Sequence, residues 1–170
     1  MESYFSGKWS DSSLDGYTYS GWTLVDKVNS MNPDKVLDVG CGFNRFKNKI
    51  NNLIGIDPYN DAADVKISLE QYDGPTVDVA LCLGSINFGD EETIDHQIDI
   101  LDCIWRKKCF FRVNPGIEHS WSNDWEGIKW YAWTERKIYA LAERYKYKVD
   151  RFEMEQTSQG HPRYYFEFSK

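Results

Sequence analysis

The chain has 170 residues, 41% of them hydrophobic and 16% aromatic, with a formal net charge of −7 and a pI near 5.0. That length predicts one domain, 1–170, able to bury a core without disulfide or metal staples. The acidic balance speaks against nucleic acid, a partner held by neutralising phosphates, and no apolar run reaches the length of a membrane span.

The first twenty residues lack apolar periodicity yet carry Tyr4, Phe5, Trp9, Tyr17 and Tyr19, whereas disordered tails are poor in aromatics. We read 1–33 as an arm and a helix, the arm packing over some part of the core. Trp22, Val25, Val28 and Met31, with Leu24 beside them, predict a helix face that stops at Asn32-Pro33.

Val36, Leu37 and Val39 form a buried strand that runs into a turn built on Gly40 and Gly42. Phe46 and Ile50, four apart, predict a short helix whose first N–H groups face the same opening. A second strand over 53–56 ends in Asp57, 19 residues beyond Asp38. An acid at that distance, on the tip of the second strand, is where doubly wound sheets grip ribose hydroxyls. The dinucleotide fingerprint would need glycine where Arg45 stands, and Asp38 ahead of the turn suits a cation better than a pyrophosphate.

Asp38-Val39-Gly40-Cys41-Gly42, followed by Asp57, resembles motif I and the ribose-binding acid of the class I S-adenosylmethionine-dependent methyltransferases. The resemblance implies a Rossmann-like, doubly wound α/β fold, with a mostly parallel seven-stranded sheet whose last strand is antiparallel. It implies S-adenosylmethionine as cofactor and S-adenosylhomocysteine as product. Asp38, Gly40, Cys41, Gly42 and Asn44 would surround the methionine end, Asp57 and Pro58 the ribose, and Ser68 and Leu69 the adenine, with Leu83 and Gly84 at the ligand edge. Asn44 stands in place of a third glycine, and asparagine tolerates left-handed geometry. Ser68 stands where the family often has an acid, with Asp64 as the alternative.

After Asp57, Pro58 to Asp61 reads as a turn and 65–67 as a third strand, so a crossover helix is absent or a single turn: a compact variant. The fourth strand covers Val77, Val79, Leu81 and Leu83, with Asp78 in a structural position. It ends in Gly84-Ser85-Ile86-Asn87-Phe88, which would sit at the ligand edge and does not match the Asn-Pro-Pro-Tyr type signature of amino-methyltransferases. Asp90 caps a helix with Ile94, Ile98, Leu101 and Trp105 on one face. A fifth strand over 109–113 closes in Asn114-Pro115-Gly116.

Residues 114–133 form an aromatic insert leaving the carboxyl end of a strand, where open α/β sheets bind ligands. Trp121, Trp125 and Tyr131, with Trp9 and Tyr19 from the arm, are the candidate acceptor-binding residues; the other reading is an aromatic minicore over the last helix. That helix starts near Thr134 and presents Ile138, Leu141, Ala142 and Tyr145. Strands over 149–155 and 164–168 close the chain.

Cys41, Cys82, Cys103 and Cys109 make no CxxC pair, and His96, His119 and His161 are scattered, so neither a disulfide framework nor a metal site is predicted. Without a leader-like start, a reduced, cytoplasmic setting is expected. The expected activity is methyl transfer from S-adenosylmethionine to a small-molecule or protein acceptor. His119 is the candidate general base, with His161 and Tyr131 behind it, and each also reads as a surface or packing residue. Two alternatives stay open: a non-catalytic binding protein on the same fold, and an enzyme using the cofactor for other chemistry. Arg45 disfavours a nicotinamide oxidoreductase.

Overall fold

The computed structural model describes residues 5, 21–116, 128–157 and 160–170. Its frame is a six-stranded sheet: β1 (Val36–Val39), β2 (Leu53–Ile56), β3 (Val77–Leu83), β4 (Trp105–Val113), β5 (Lys148–Gln156) and β6 (Pro162–Ser169). The order is β2-β1-β3-β4-β6-β5, with β2, β1, β3 and β4 parallel to one another and β6 antiparallel to both β4 and β5. This is the mostly parallel doubly wound sheet expected from the sequence. β1 is buried along its whole length, as a strand covered on both faces must be.

Helices α1 (Val25–Ser30), α2 (Glu91–Ile104) and α3 (Glu135–Tyr145) cover the sheet unequally. Ile94, Ile98 and Leu101 of α2 and Ile138 and Leu141 of α3 pack with Leu37, Ala80 and Phe111 in the larger core. On the other face α1 supplies Leu24's neighbour Val28, which packs with Phe46, Val79, Leu81, Phe110 and Tyr165. Asp90 caps α2 by accepting from Thr93 N, and Thr134 caps α3 by accepting from Lys137 N.

Four expectations are corrected. Residues 42–50 are a run of turns instead of a helix, because Asn44 (φ +52°) and Asn48 (φ +64°) take left-handed geometry that interrupts a right-handed helix. Phe46 and Ile50 nevertheless reach the core. The strand expected over 65–67 shrinks to one bridge, Ile56 to Val65, so the sheet has six strands among the described residues. There Asp64 takes over edge pairing, since its side chain accepts from Gly55 N at 2.9 Å. Trp105 is the first residue of β4 with extended backbone, and its buried ring packs on Tyr147 at 5.0 Å. Trp22 is 37% exposed, and the buried face of the first helical segment runs through Leu24 and Val28.

All four cysteines are free, Cys41, Cys82 and Cys109 buried and Cys103 exposed. No helix among the described residues is long and apolar enough to cross a membrane.

Candidate cofactor and acceptor site

A cavity of about 590 Å³ opens at the carboxyl ends of the strands, in the size range of small-molecule sites. It lies where β1 leads to β2 on one side and β3 lies on the other, the switch point at which open α/β sheets bind ligands. There the chain segments approach very closely: a Cβ on Gly40 (φ +67°) would stand 2.6 Å from the Cβ of Ser85. Only glycine fits that position.

Asp38, Gly40, Cys41, Gly42, Asp57, Pro58, Ser68, Leu69, Leu83 and Gly84 all line this cavity. Asn44 does not. It is buried behind the turn, where its Nδ2 donates to Ala62 O (3.0 Å) and Asp64 Oδ2 (3.1 Å), so it holds the loop after β2 instead of facing a ligand. Asp64, the alternative to Ser68, belongs to that same clamp with Lys47 and Gly55.

Asp38 is 3% exposed, and none of the described residues donates a hydrogen bond to its carboxylate. Burial, and secondarily the charge of Asp57, push its pKa up to about 7. Burial, Asp38, Asp57 and Asp64 push the Cys41 thiol well up, so it is no nucleophile. Asp57 acts as a clip: Oδ2 accepts from Gly42 N (3.0 Å), and Oδ1 from Tyr59 N (2.8 Å) and Asn60 N (3.0 Å). A carboxylate has about four lone-pair sites, so one remains for a hydroxyl.

The turn's amides are not turned toward the opening, contrary to expectation. Gly40 N and Cys41 N both donate to Ile56 O (2.8 and 3.0 Å), Gly42 N to Asp57, and Asn44 N to Cys41 O (2.9 Å). A phosphate site at such a turn needs free amides. With those four occupied and two carboxylates in their place, this end of the cavity is built for a ligand that carries positive charge and hydroxyls.

Gly84, Ser85, Ile86, Asn87 and Phe88, the stretch expected at the ligand edge after β3, all line the cavity. Asn87, 2% exposed, donates to Gly84 O (2.9 Å) and accepts from Asn114 N (2.8 Å), while its carbonyl accepts from Tyr131 N (2.8 Å). It thereby joins the loops after β3 and β4 to the described part of the aromatic insert. Trp130 of the aromatic insert lines the cavity too, as do Glu70, Arg112, Thr157 and Arg163, which the sequence reading did not assign to the site. Arg112 carried a readable signal, a charge inside the apolar run Cys109-Phe110-Phe111-Arg112-Val113.

Tyr131 is not brought to the cavity: it is 7% exposed in the larger core, edge-on to Trp133 at 5.0 Å and under the Lys137 ammonium at 3.9 Å. The insert is thus partly a minicore, with Trp133 Nε1 donating to Ile86 O at 2.8 Å. His119, Trp121, Trp125, Trp9 and Tyr19 lie outside the described residues. His161 does not line the cavity.

No sequence-family model matches the chain, and neither does any curated relative. Solved structures do. The magnesium protoporphyrin IX methyltransferase of Synechocystis PCC 6803 with bound SAM superposes with a TM-score of 0.74 at 14% identity, over 99% of this chain and 94% of that one. The N-methyltransferase NodS of Bradyrhizobium japonicum WM9, in complex with S-adenosylhomocysteine, gives 0.76 at 14% identity, over 98% and 96%. The 1,6-didemethyltoxoflavin-N1-methyltransferase of Burkholderia thailandensis, with bound 1,6-didemethyltoxoflavin and S-adenosylhomocysteine, gives 0.72 at 15% identity, over 99% and 84%. The chain has the class I methyltransferase fold.

Proposed function

We propose that the chain is an S-adenosylmethionine-dependent methyltransferase acting on a small-molecule or protein acceptor. The observation that carries this reading is the cavity's acidic end: Asp38 and Asp57 at the switch point, beside a glycine turn with its amides already bonded. Bound there, S-adenosylmethionine supplies a methyl group on a sulfonium. The chain's donor set fits it. Asp38 offers an unpartnered carboxylate to a cationic amino acid end, Asp57 retains a lone pair for a ribose hydroxyl, and Ser68 and Leu69 offer a wall for adenine.

Displacement at an activated methyl carbon needs positioning and desolvation above all. The described walls offer apolar surface for both in Leu83, Ile86, Phe88 and Trp130, which line the cavity. No histidine stands among the described lining residues. A general base, if the acceptor needs one, comes from Glu70, from outside the described residues or from the acceptor itself.

A second reading, binding without transfer, is favoured by one observation: Asp57 already serves the backbone with three bonds. Release of S-adenosylhomocysteine from S-adenosylmethionine across a panel of hydroxyl, amine and carboxylate acceptors separates the two. Acceptor-dependent release supports transfer, and binding of both cofactor forms with no release on any acceptor supports the second reading.

A further inference from the structure

The cavity is electrically lopsided. Over β1 and β2 its walls carry Asp38 and Asp57, with Glu70 also lining it, whereas over β4 and β6 they carry Arg112 and Arg163. In a chain with net charge −7, two arginines at one end of a ligand cavity call for a reason.

Arg112 stands on β4 level with Leu83 of β3 and Tyr165 of β6, and is 5% exposed. Its Nε donates to a single oxygen of Glu155 at 2.5 Å, and its guanidinium lies 5.3 Å from the centre of the Tyr165 ring. Its Nη1 is buried with no hydrogen-bond partner. An orphaned N–H on a buried guanidinium carries its full desolvation penalty, and native proteins keep such groups where something else satisfies them. A guanidinium fork matches the paired oxygens of a carboxylate or phosphate, and Glu155 uses only one of its edges.

The neighbouring wall is aromatic, with Phe5, Tyr59, Phe88 and Trp130 all lining the cavity. Phe5 stacks on Tyr59 with centroids 5.5 Å apart and planes 7° from parallel, and meets Phe88 edge-on at 5.0 Å. Phe88 in turn packs on Trp130 at 4.7 Å. This wall joins the arginine through Asn87, next to Phe88, which accepts from the N–H of Asn114, two residues past Arg112.

We propose that the acceptor is a planar aromatic molecule bearing an oxyanion, a carboxylate or a phosphate, with its ring against Phe88 and Trp130 and its anion on the guanidinium of Arg112. The proposal rests on the acidic end being the S-adenosylmethionine site. The two ends then sort the ligands by charge, cation over β1 and β2 and anion over β4, and bring the ring between them.

The test uses the full chain with three probes of one ring system: 2-naphthoate, 2-naphthyl phosphate and the neutral 2-naphthalenemethanol. Each is titrated with and without saturating S-adenosylhomocysteine. At least one anion is expected to bind about tenfold or more tighter than the neutral probe, and the tighter of the two identifies the group. Arg112→Gln is expected to bring the anion to the level of the neutral probe while leaving S-adenosylhomocysteine affinity unchanged. Should that variant not fold, the double replacement Arg112→Met with Glu155→Met, which leaves neither charge alone, is expected to show the same loss. Equal binding of charged and neutral probes, binding of no probe, or full anion affinity without Arg112 overturns the proposal. If S-adenosylhomocysteine fails to bind while the Arg112-dependent anion preference persists, the methyltransferase reading falls and the anion site stands. If it binds and the preference is absent, this proposal falls alone.

Discussion

Asp38 concentrates the residue-scale argument. Burial and the neighbouring Asp57 charge place its pKa at about 7, so the empty site is mostly neutral near pH 6 and mostly anionic near pH 8. A cationic ligand prefers the anion, so S-adenosylmethionine affinity is expected to fall roughly five- to tenfold between about pH 7.5 and pH 6, and Asp38→Asn to flatten that profile at lower affinity; isothermal titration at the two pH values decides. Stability carries the opposite sign. Because the folded pKa lies above the unfolded value of 3.8, the stabilising contribution is complete below that value and is lost as pH rises through about 7. The Asp38→Asn chain without ligand should therefore gain melting temperature over the natural chain as pH is raised from 5 to 8. Asp57 makes a separate point. Its position was legible from its distance to Asp38, but its three backbone bonds were not, because they depend on how Tyr59 and Asn60 fold back. Asp57→Ala is consequently expected to cost about 2 kcal/mol in denaturant unfolding as well as cofactor affinity, so the two must be measured together.

At the scale of elements, patterning identified what local residues decide. The apolar runs gave away β1, β2 and β3, Asp90 and Thr134 mark the starts of α2 and α3, and the closing hairpin followed from its two apolar stretches. What failed depended on partners far along the chain. Phe46 and Ile50 have helical spacing, yet Asn44 bends the backbone to φ +52° and spends its side chain on Ala62 and Asp64. Asn44→Ala is expected to lose about 2–3 kcal/mol in chemical denaturation, since it removes two bonds and places alanine in left-handed geometry. Any fall in cofactor affinity would then come through the loop, as Asn44 does not touch the cavity. Val65 and Ile67 have strand composition, but Asp64 already satisfies Gly55, and one bridge is all that forms. Trp105 continues the helical spacing of α2, although its ring is better buried against Tyr147 from a strand. The acidic half of the site was readable because glycines and acids keep fixed spacing around one turn. Of the basic half only Arg112 carried a local signal, because Arg163 lines the same cavity only through the pairing of β4 with β6.

Across the whole molecule, the sheet's two faces are held differently. One is closed by α2 and α3 on the larger apolar core; on the other, α1 joins the sheet through the smaller apolar cluster around Val28 and also through charge. Glu167, 1% exposed on β6, takes Lys27 from α1, Lys108 from β4 at 2.9 Å and the Tyr165 hydroxyl. Burial pushes its carboxyl up, but those three donors more than offset it and hold the pKa below the usual value of 4.5. Its contribution is thus present above the unfolded pKa and lost as pH falls through the folded one. Glu167→Ala leaves two lysines facing a buried gap and is expected to cost about 3 kcal/mol or more in denaturant unfolding; a change within about 0.5 kcal/mol would show that solvent already screens the network. The fold as a whole places one acidic and one basic end on a single cavity, and the central claim is that the acidic end holds S-adenosylmethionine. Calorimetric titration of the purified chain with S-adenosylmethionine and, separately, S-adenosylhomocysteine tests this most directly. Binding of both with dissociation constants of roughly micromolar order, weakened in Asp57→Ala and Asp38→Asn, is the predicted result. Absence of binding by either ligand at millimolar concentration would contradict it.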